Sequence, residues 1–148
     1  MSASTEKISH TQLAHELARI QAEHGLAALW DAHSIRSLMP RFFEGHLTDL
    51  NLGTDDGASC DPSLAEQLRS IGQQATGYRA VLNGRFKGGH ITREYGNPAQ
   101  GIHAVQLEMT QSSDMQESWP FDCLSEVATG VQPHVRRMLE AVMASAEQ

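Results

Sequence analysis

Apolar and polar positions along the chain fall into alternating blocks of helix length and strand length. Between Thr11 and His24, Leu13, Leu17 and Ile20 recur at helical spacing, and Gly25 follows where a helix stops. This predicts an amphipathic helix. The continuous apolar run Leu26-Ala-Ala-Leu-Trp30 then predicts a strand of the kind buried on both faces of a sheet, ending at Asp31-Ala-His-Ser34. Asp49-Leu-Asn-Leu-Gly53 alternates as a short strand and runs into the turn-rich Thr54 to Ser59. Asp61-Pro62 supplies an N-cap with proline at the first helical position, and Leu64, Leu68 and Ile71 place one apolar stripe on a second helix reaching about Gln74.

Further on, Tyr78 to Leu82 reads as a strand and Asn83-Gly84 as a turn. The segment Arg85 to Gly96 holds too much glycine for a strand interior, which predicts a loop approaching a ligand or another stretch of backbone closely. Ile102 to Met109 alternates with period 2, so Ile102, Ala104, Gln106 and Glu108 share one face while His103, Val105, Leu107 and Met109 share the other. Val131, Val135, Met138, Leu139, Val142 and Met143 form an apolar stripe behind Pro133, predicting a C-terminal helix laid over one sheet face. Helices alternating with strands indicate an α/β fold: a mixed sheet flanked by three helices, built as a single domain over residues 1–148.

Charge narrows the range of partners. Eleven Lys and Arg against eighteen Asp and Glu leave a net charge of -7, which repels the phosphate backbone, so nucleic acid is not an expected partner. The polar opening lacks the apolar core of a signal peptide, and no run approaches the roughly 18 apolar residues of a membrane span. A cytoplasmic chain without a membrane partner is expected. Cys60 and Cys123 stand apart with no CxxC spacing, so two reduced thiols are expected rather than a disulfide or a thiolate metal site.

The residues able to carry chemistry gather near predicted strand ends, where ligands collect in open α/β sheets. His33 sits between Asp31 and Ser34, where a neutral imidazole can offer one nitrogen to a metal while a neighbour orients the ring; a hydrogen-bonded structural histidine fits the same pattern. Glu108 is a carboxylate on a strand that reads as buried, so it must either raise its pKa, which suits a general base, or pair with a cation such as Arg85 or Arg93. Arg36 and Arg93 carry planar guanidinium forks suited to the carboxylates of an acidic substrate, or to an internal acid. No GxSxG elbow, phosphate loop or dinucleotide glycine pattern is present.

Four segments in order, Leu29-Trp-Asp-Ala-His-Ser-Ile-Arg-Ser37, Asp49 to Cys60, Asn83 to Gly96 and His103-Ala-Val-Gln-Leu-Glu-Met-Thr-Gln-Ser112, resemble the C-terminal portion of the N-formylglutamate amidohydrolase family. The resemblance runs from about His10 into the C-terminal helix and leaves residues 1–9 as an unmatched polar N-terminus. It implies part of a zinc-carboxypeptidase-like fold and metal-dependent hydrolysis of N-formyl-L-glutamate to formate and L-glutamate in histidine degradation. On that resemblance His33 is a zinc ligand, Glu108 the general base and acid, and Arg36 and Arg93 the partners of an N-acyl acidic amino acid. Family members also carry a preceding segment whose histidine and acidic residue complete the zinc site. Zinc binding and turnover are therefore expected to need a separately encoded or longer N-terminal half, and a non-catalytic remnant or binding module for acidic metabolites is the alternative. An open sheet edge and an uncovered apolar region are expected with either reading. Asp114 and His90 stand where the family usually has aromatic residues.

Overall fold

Period-2 alternation is clearest in the segment that becomes the centre of the sheet. In the computed structural model, which describes residues 3–146, this segment is strand β4 (Ile102–Thr110), joined by β1 (Ala27–Ile35), β2 (Leu50–Gly53) and β3 (Ala80–Leu82) in the order β1-β4-β2-β3. β1 runs parallel to β4, β2 antiparallel to β4, and β3 parallel to β2. The expected mixed sheet is present.

Register divides the side chains between two faces. Val105, Leu107, Leu50 and Leu52 point to the face covered by α2 (Pro62–Gln73) and α4 (Ser125–Ser145), where they pack with Leu64, Leu68, Val131, Met138 and Val142 into the hydrophobic core. The Asp61 carboxylate accepts from the Ser63 N–H at 2.8 Å, and Pro62 occupies the first helical turn, as the sequence pattern predicts. α2 approaches the sheet closely because residue 72 is glycine: a Cβ there would lie 2.7 Å from that of Ala80. α1 (Ala3–His24) packs along β1 and stops at Gly25, whose φ of +80° is the left-handed conformation glycine adopts at little cost.

Several boundaries differ from the sequence pattern. Among the described residues four α-helices form rather than three: His90–Tyr95 is a short helix, α3, inside the segment expected to be a loop. Pro133 lies within α4 instead of before it, because buried Ala128 and Val131 anchor the turns ahead of the proline and Met138, Ala141 and Val142 those after it. That packing outweighs the missing backbone donor. β1 is longer than the apolar run, and as an edge strand it leaves Ala32, His33 and Ser34 exposed, so it is not the doubly buried strand that its composition suggests. Beside that edge, an open cleft of about 800 Å³ runs between β1 and the outer side of α4. The expected open edge and uncovered apolar region are thus both present. Among the described residues, no helix is long and apolar enough to cross a membrane.

Candidate functional site

Parallel pairing of β1 with β4 sets His33 directly opposite Glu108, and antiparallel pairing of β4 with β2 sets Glu108 opposite Asn51. His33, Glu108 and Asn51 therefore form one transverse row. The neighbouring row on the same face is Asp31, Gln106 and Gly53, since side chains two residues apart share a face. Both rows lie near the C-terminal ends of β1 and β4, on the face opposite the core.

Within the rows, the His33 Nε2 lies 2.9 Å from the Asp31 Oδ1. This contact orients the imidazole and leaves its Nδ1 free of hydrogen bonds among the described residues. His33 is half-exposed because β1 is an edge, whereas Glu108 is only 8% exposed. Burial pushes the Glu108 carboxyl above its ordinary value; His33 opposes that shift and Asp31 adds to it. Gln106 bridges two parts of the site. Its Oε1 accepts from the Gly89 N–H at 2.5 Å, and its Nε2 stands 3.4 Å from the Glu108 Oε2. Asn51 donates to the Thr48 carbonyl at 2.7 Å and the Glu108 carbonyl at 3.0 Å, while its buried Oδ1 has no partner.

Glycine at position 53 lets the loop before α3 cross this face. A Cβ there would lie 2.4 Å from the Gly88 nitrogen, so any side chain would displace the crossing backbone. The loop is held by the Asp55 N–H donating to the Lys87 carbonyl at 2.6 Å. The close backbone approach expected from the glycines of residues 85–96 is therefore realised, with Gly53 as the surface approached.

The two arginines occupy different places. Arg36 lies just past the end of β1 and donates to the Glu117 carbonyl at 2.7 Å, and the Glu117 carboxylate in turn accepts from the Ser37 N–H and hydroxyl. Arg93, on α3, donates to the Gly88 carbonyl at 2.6 Å. Neither forms an ion pair among the described residues, so both retain donors for an acidic ligand. Arg85 donates to the Phe42 carbonyl and lies over the Phe43 ring, so Glu108 is not neutralised by Arg85 or Arg93. His90 packs edge-on against His10, and Asp114 lines the cleft beside α4, where burial pushes its carboxyl up. Cys60 is buried, its thiol pushed up to about 12 by burial, which makes it a packing residue; Cys123 is exposed.

A catalytic zinc normally takes three protein ligands. Among the described residues, no three His, Cys, Asp or Glu side chains gather in a way that could hold a metal ion. This site provides one oriented imidazole, from His33, and the residues present do not by themselves fit a resident zinc. Gln106 and Asn51 were not singled out by sequence reasoning. Period 2 carries the signal for both, since each shares a face with Glu108 or its register partner, but only strand pairing shows which strands are neighbours.

The α/β domain thus sets an imidazole held by Asp31 across from a buried carboxylate, at the ends of adjacent strands. A family model described as N-formylglutamate amidohydrolase matches residues 10–115. The chain is 54% identical over 135 residues to the N-formylglutamate deformylase of Pseudomonas aeruginosa, and 55% identical over 135 residues to that of Pseudomonas putida. It belongs to the N-formylglutamate amidohydrolase family. Each alignment covers 91% of this chain and 51% of the relative, so the chain spans about half the length of these relatives. The crystal structure of N-formylglutamate amidohydrolase from Ralstonia eutropha JMP134 shares the fold with a TM-score of 0.76 at 22% identity, across 95% of this chain and 51% of that one.

Proposed function

We propose that this chain supplies the proton-transfer half of an N-formylglutamate deformylase site, in an enzyme that converts N-formyl-L-glutamate and water to formate and L-glutamate during histidine degradation in the cytoplasm. The observation that carries this reading is the pairing of His33 with Glu108 across neighbouring strands. As a carboxylate, Glu108 takes a proton from the attacking water and returns it to the amine nitrogen as the C–N bond breaks; its raised pKa makes it a stronger base for that step. Gln106 holds the loop before α3 against Glu108, and Asp31 fixes the imidazole. Arg36 and Arg93 receive the two carboxylates of the substrate, a role consistent with their exposed positions and free donors.

The cofactor in this proposal is zinc, with His33 as one ligand through its free nitrogen and the remaining ligands coming from outside the described residues. No step is assigned to the metal, because this chain's donors alone do not hold it. Residues 1–148 alone are expected to retain well under one zinc per chain and to show no measurable deformylation. Co-expression with the unmatched residues of the Pseudomonas putida deformylase is expected to restore both, and His33→Ala in that assembly to lose the metal. Stoichiometric zinc and brisk deformylation by residues 1–148 alone would overturn the proposal.

A further inference from the structure

α3 is a helix that its own residues hold weakly. It runs only from His90 to Tyr95, Gly89 gives its start no side-chain cap, and so short a helix is marginal in water without outside contacts. Gly88, with φ at +116°, adds backbone freedom just ahead of it. Yet α3 carries Arg93, and the loop leading into it presents the Gly89 N–H to Gln106 beside Glu108. Its placement must therefore come from the rest of the chain. At the entry, the Lys87 carbonyl accepts from the Asp55 N–H and Gly89 donates to Gln106. At the exit, Gly96 seats so closely against Ser59 that a Cβ there would clash.

Tyr95 ties α3 to α1. Its hydroxyl donates to the His10 carbonyl at 3.2 Å, and the His10 Nδ1 lies 2.7 Å from the same oxygen. A hydroxyl has one proton, so with it directed to the carbonyl the imidazole Nδ1–H is the donor in the second bond. The two rings stack with centroids 5.9 Å apart, and His90 meets the His10 ring edge-on at 5.5 Å. His10 thus touches the first and the last residue of α3.

We infer that His10 and Tyr95 are positioning residues for substrate binding: they latch α3 to α1 and thereby hold Arg93 where it receives a substrate carboxylate. This rests on the functional reading above, which places Arg93 at the substrate. The Arg93 guanidinium is turned back onto the Gly88 carbonyl at 2.6 Å, so a roll of α3 moves its remaining donors. Because the entry keeps its own bonds at Lys87 and Gly89, loosening the latch displaces Arg93 more than Gln106 or Glu108. The effect falls on substrate affinity and spares proton transfer.

The test uses residues 1–148 assembled with the unmatched residues of the Pseudomonas putida deformylase. Tyr95→Phe removes the hydroxyl and keeps the ring. It is expected to raise KM for N-formylglutamate about three- to tenfold, with kcat within about twofold of the parent. His10→Ala gives the same split, whereas His10→Asn, whose amide offers an N–H in place of the Nδ1–H, stays near the parent. In an Arg93→Ala background Tyr95→Phe raises KM no further, since the latch acts through that arginine. A role in packing alone lowers the melting temperature with KM unmoved, or adds fully to Arg93→Ala, and either result would overturn the inference. Backbone amide exchange of residues 1–148 reads the latch without turnover: Tyr95→Phe is expected to speed exchange over residues 93–96 about fivefold or more, and unaltered exchange there overturns the inference as well. If the assembly never deformylates, or if Arg93→Ala leaves KM unmoved, the functional reading fails and the exchange measurement still decides the latch. KM raised by Arg93→Ala but not by Tyr95→Phe sinks the latch alone.

Discussion

Glu108 carries an opposition between stability and its proposed function at a single residue. Burial holds its carboxyl above the ordinary value of 4.5, so the folded chain binds that proton more tightly than the unfolded chain does. Stability from this group is therefore complete below about pH 4.5 and is lost as pH rises through the folded value. Glutamine keeps the shape and carries no charge to desolvate. Glu108→Gln is expected to raise the melting temperature at pH 7, with the difference from the parent shrinking to nothing towards pH 4. Thermal melts across that range check it, and an equal or lower melting temperature at pH 7 would contradict the account. His33 and Glu108 were both legible as candidates, since each is a polar residue at the end of an apolar run. The orphaned Asn51 Oδ1 was not, because it depends on side-chain direction and on strand pairing across 57 residues of sequence.

At the scale of elements, the site depends on a strand and a loop that almost touch. Gly53 lets the Lys87–Gly89 backbone cross β2, and the crossing brings the Gly89 N–H onto Gln106 beside Glu108. Gly53→Ala places a methyl group 2.4 Å from a backbone nitrogen, where no side-chain rotation relieves the clash. It is expected to destabilise the chain by about 1–3 kcal/mol in urea unfolding. A substitution within about 0.5 kcal/mol of the parent would show that the loop shifts freely. The glycine pattern of residues 85–96 announced the close approach but not α3, because six residues between two glycines offer no helical period to read. The full length of α4 was hidden by Pro133, which local propensity treats as a boundary and tertiary packing does not. The stop of α1 at Gly25, the cap of α2 at Asp61 and the alternation of β4 depend on neighbours within a few residues, and all three were readable.

Across the whole molecule, the two faces of the sheet have different roles. One face packs against α2 and α4 and holds the fold together; the other presents His33, Glu108, Asn51, Asp31 and Gln106 near the ends of their strands. The free edge of β1 joins the two, since the apolar cleft and the polar row both end there. Charge indicated an acidic chain, periodicity an α/β domain and the order of four short segments its family, but which strand lies at the edge follows only from the sheet order. The central claim is that Glu108 moves the proton in a site that this chain shares with the other half of the family's length. Its most direct test is turnover of N-formylglutamate by the co-expressed assembly with and without Glu108→Gln, with zinc measured in the same samples. The account predicts an unchanged zinc content and a kcat lowered about 10²–10⁴-fold. A variant that keeps its zinc and turns over at the parent rate would contradict it.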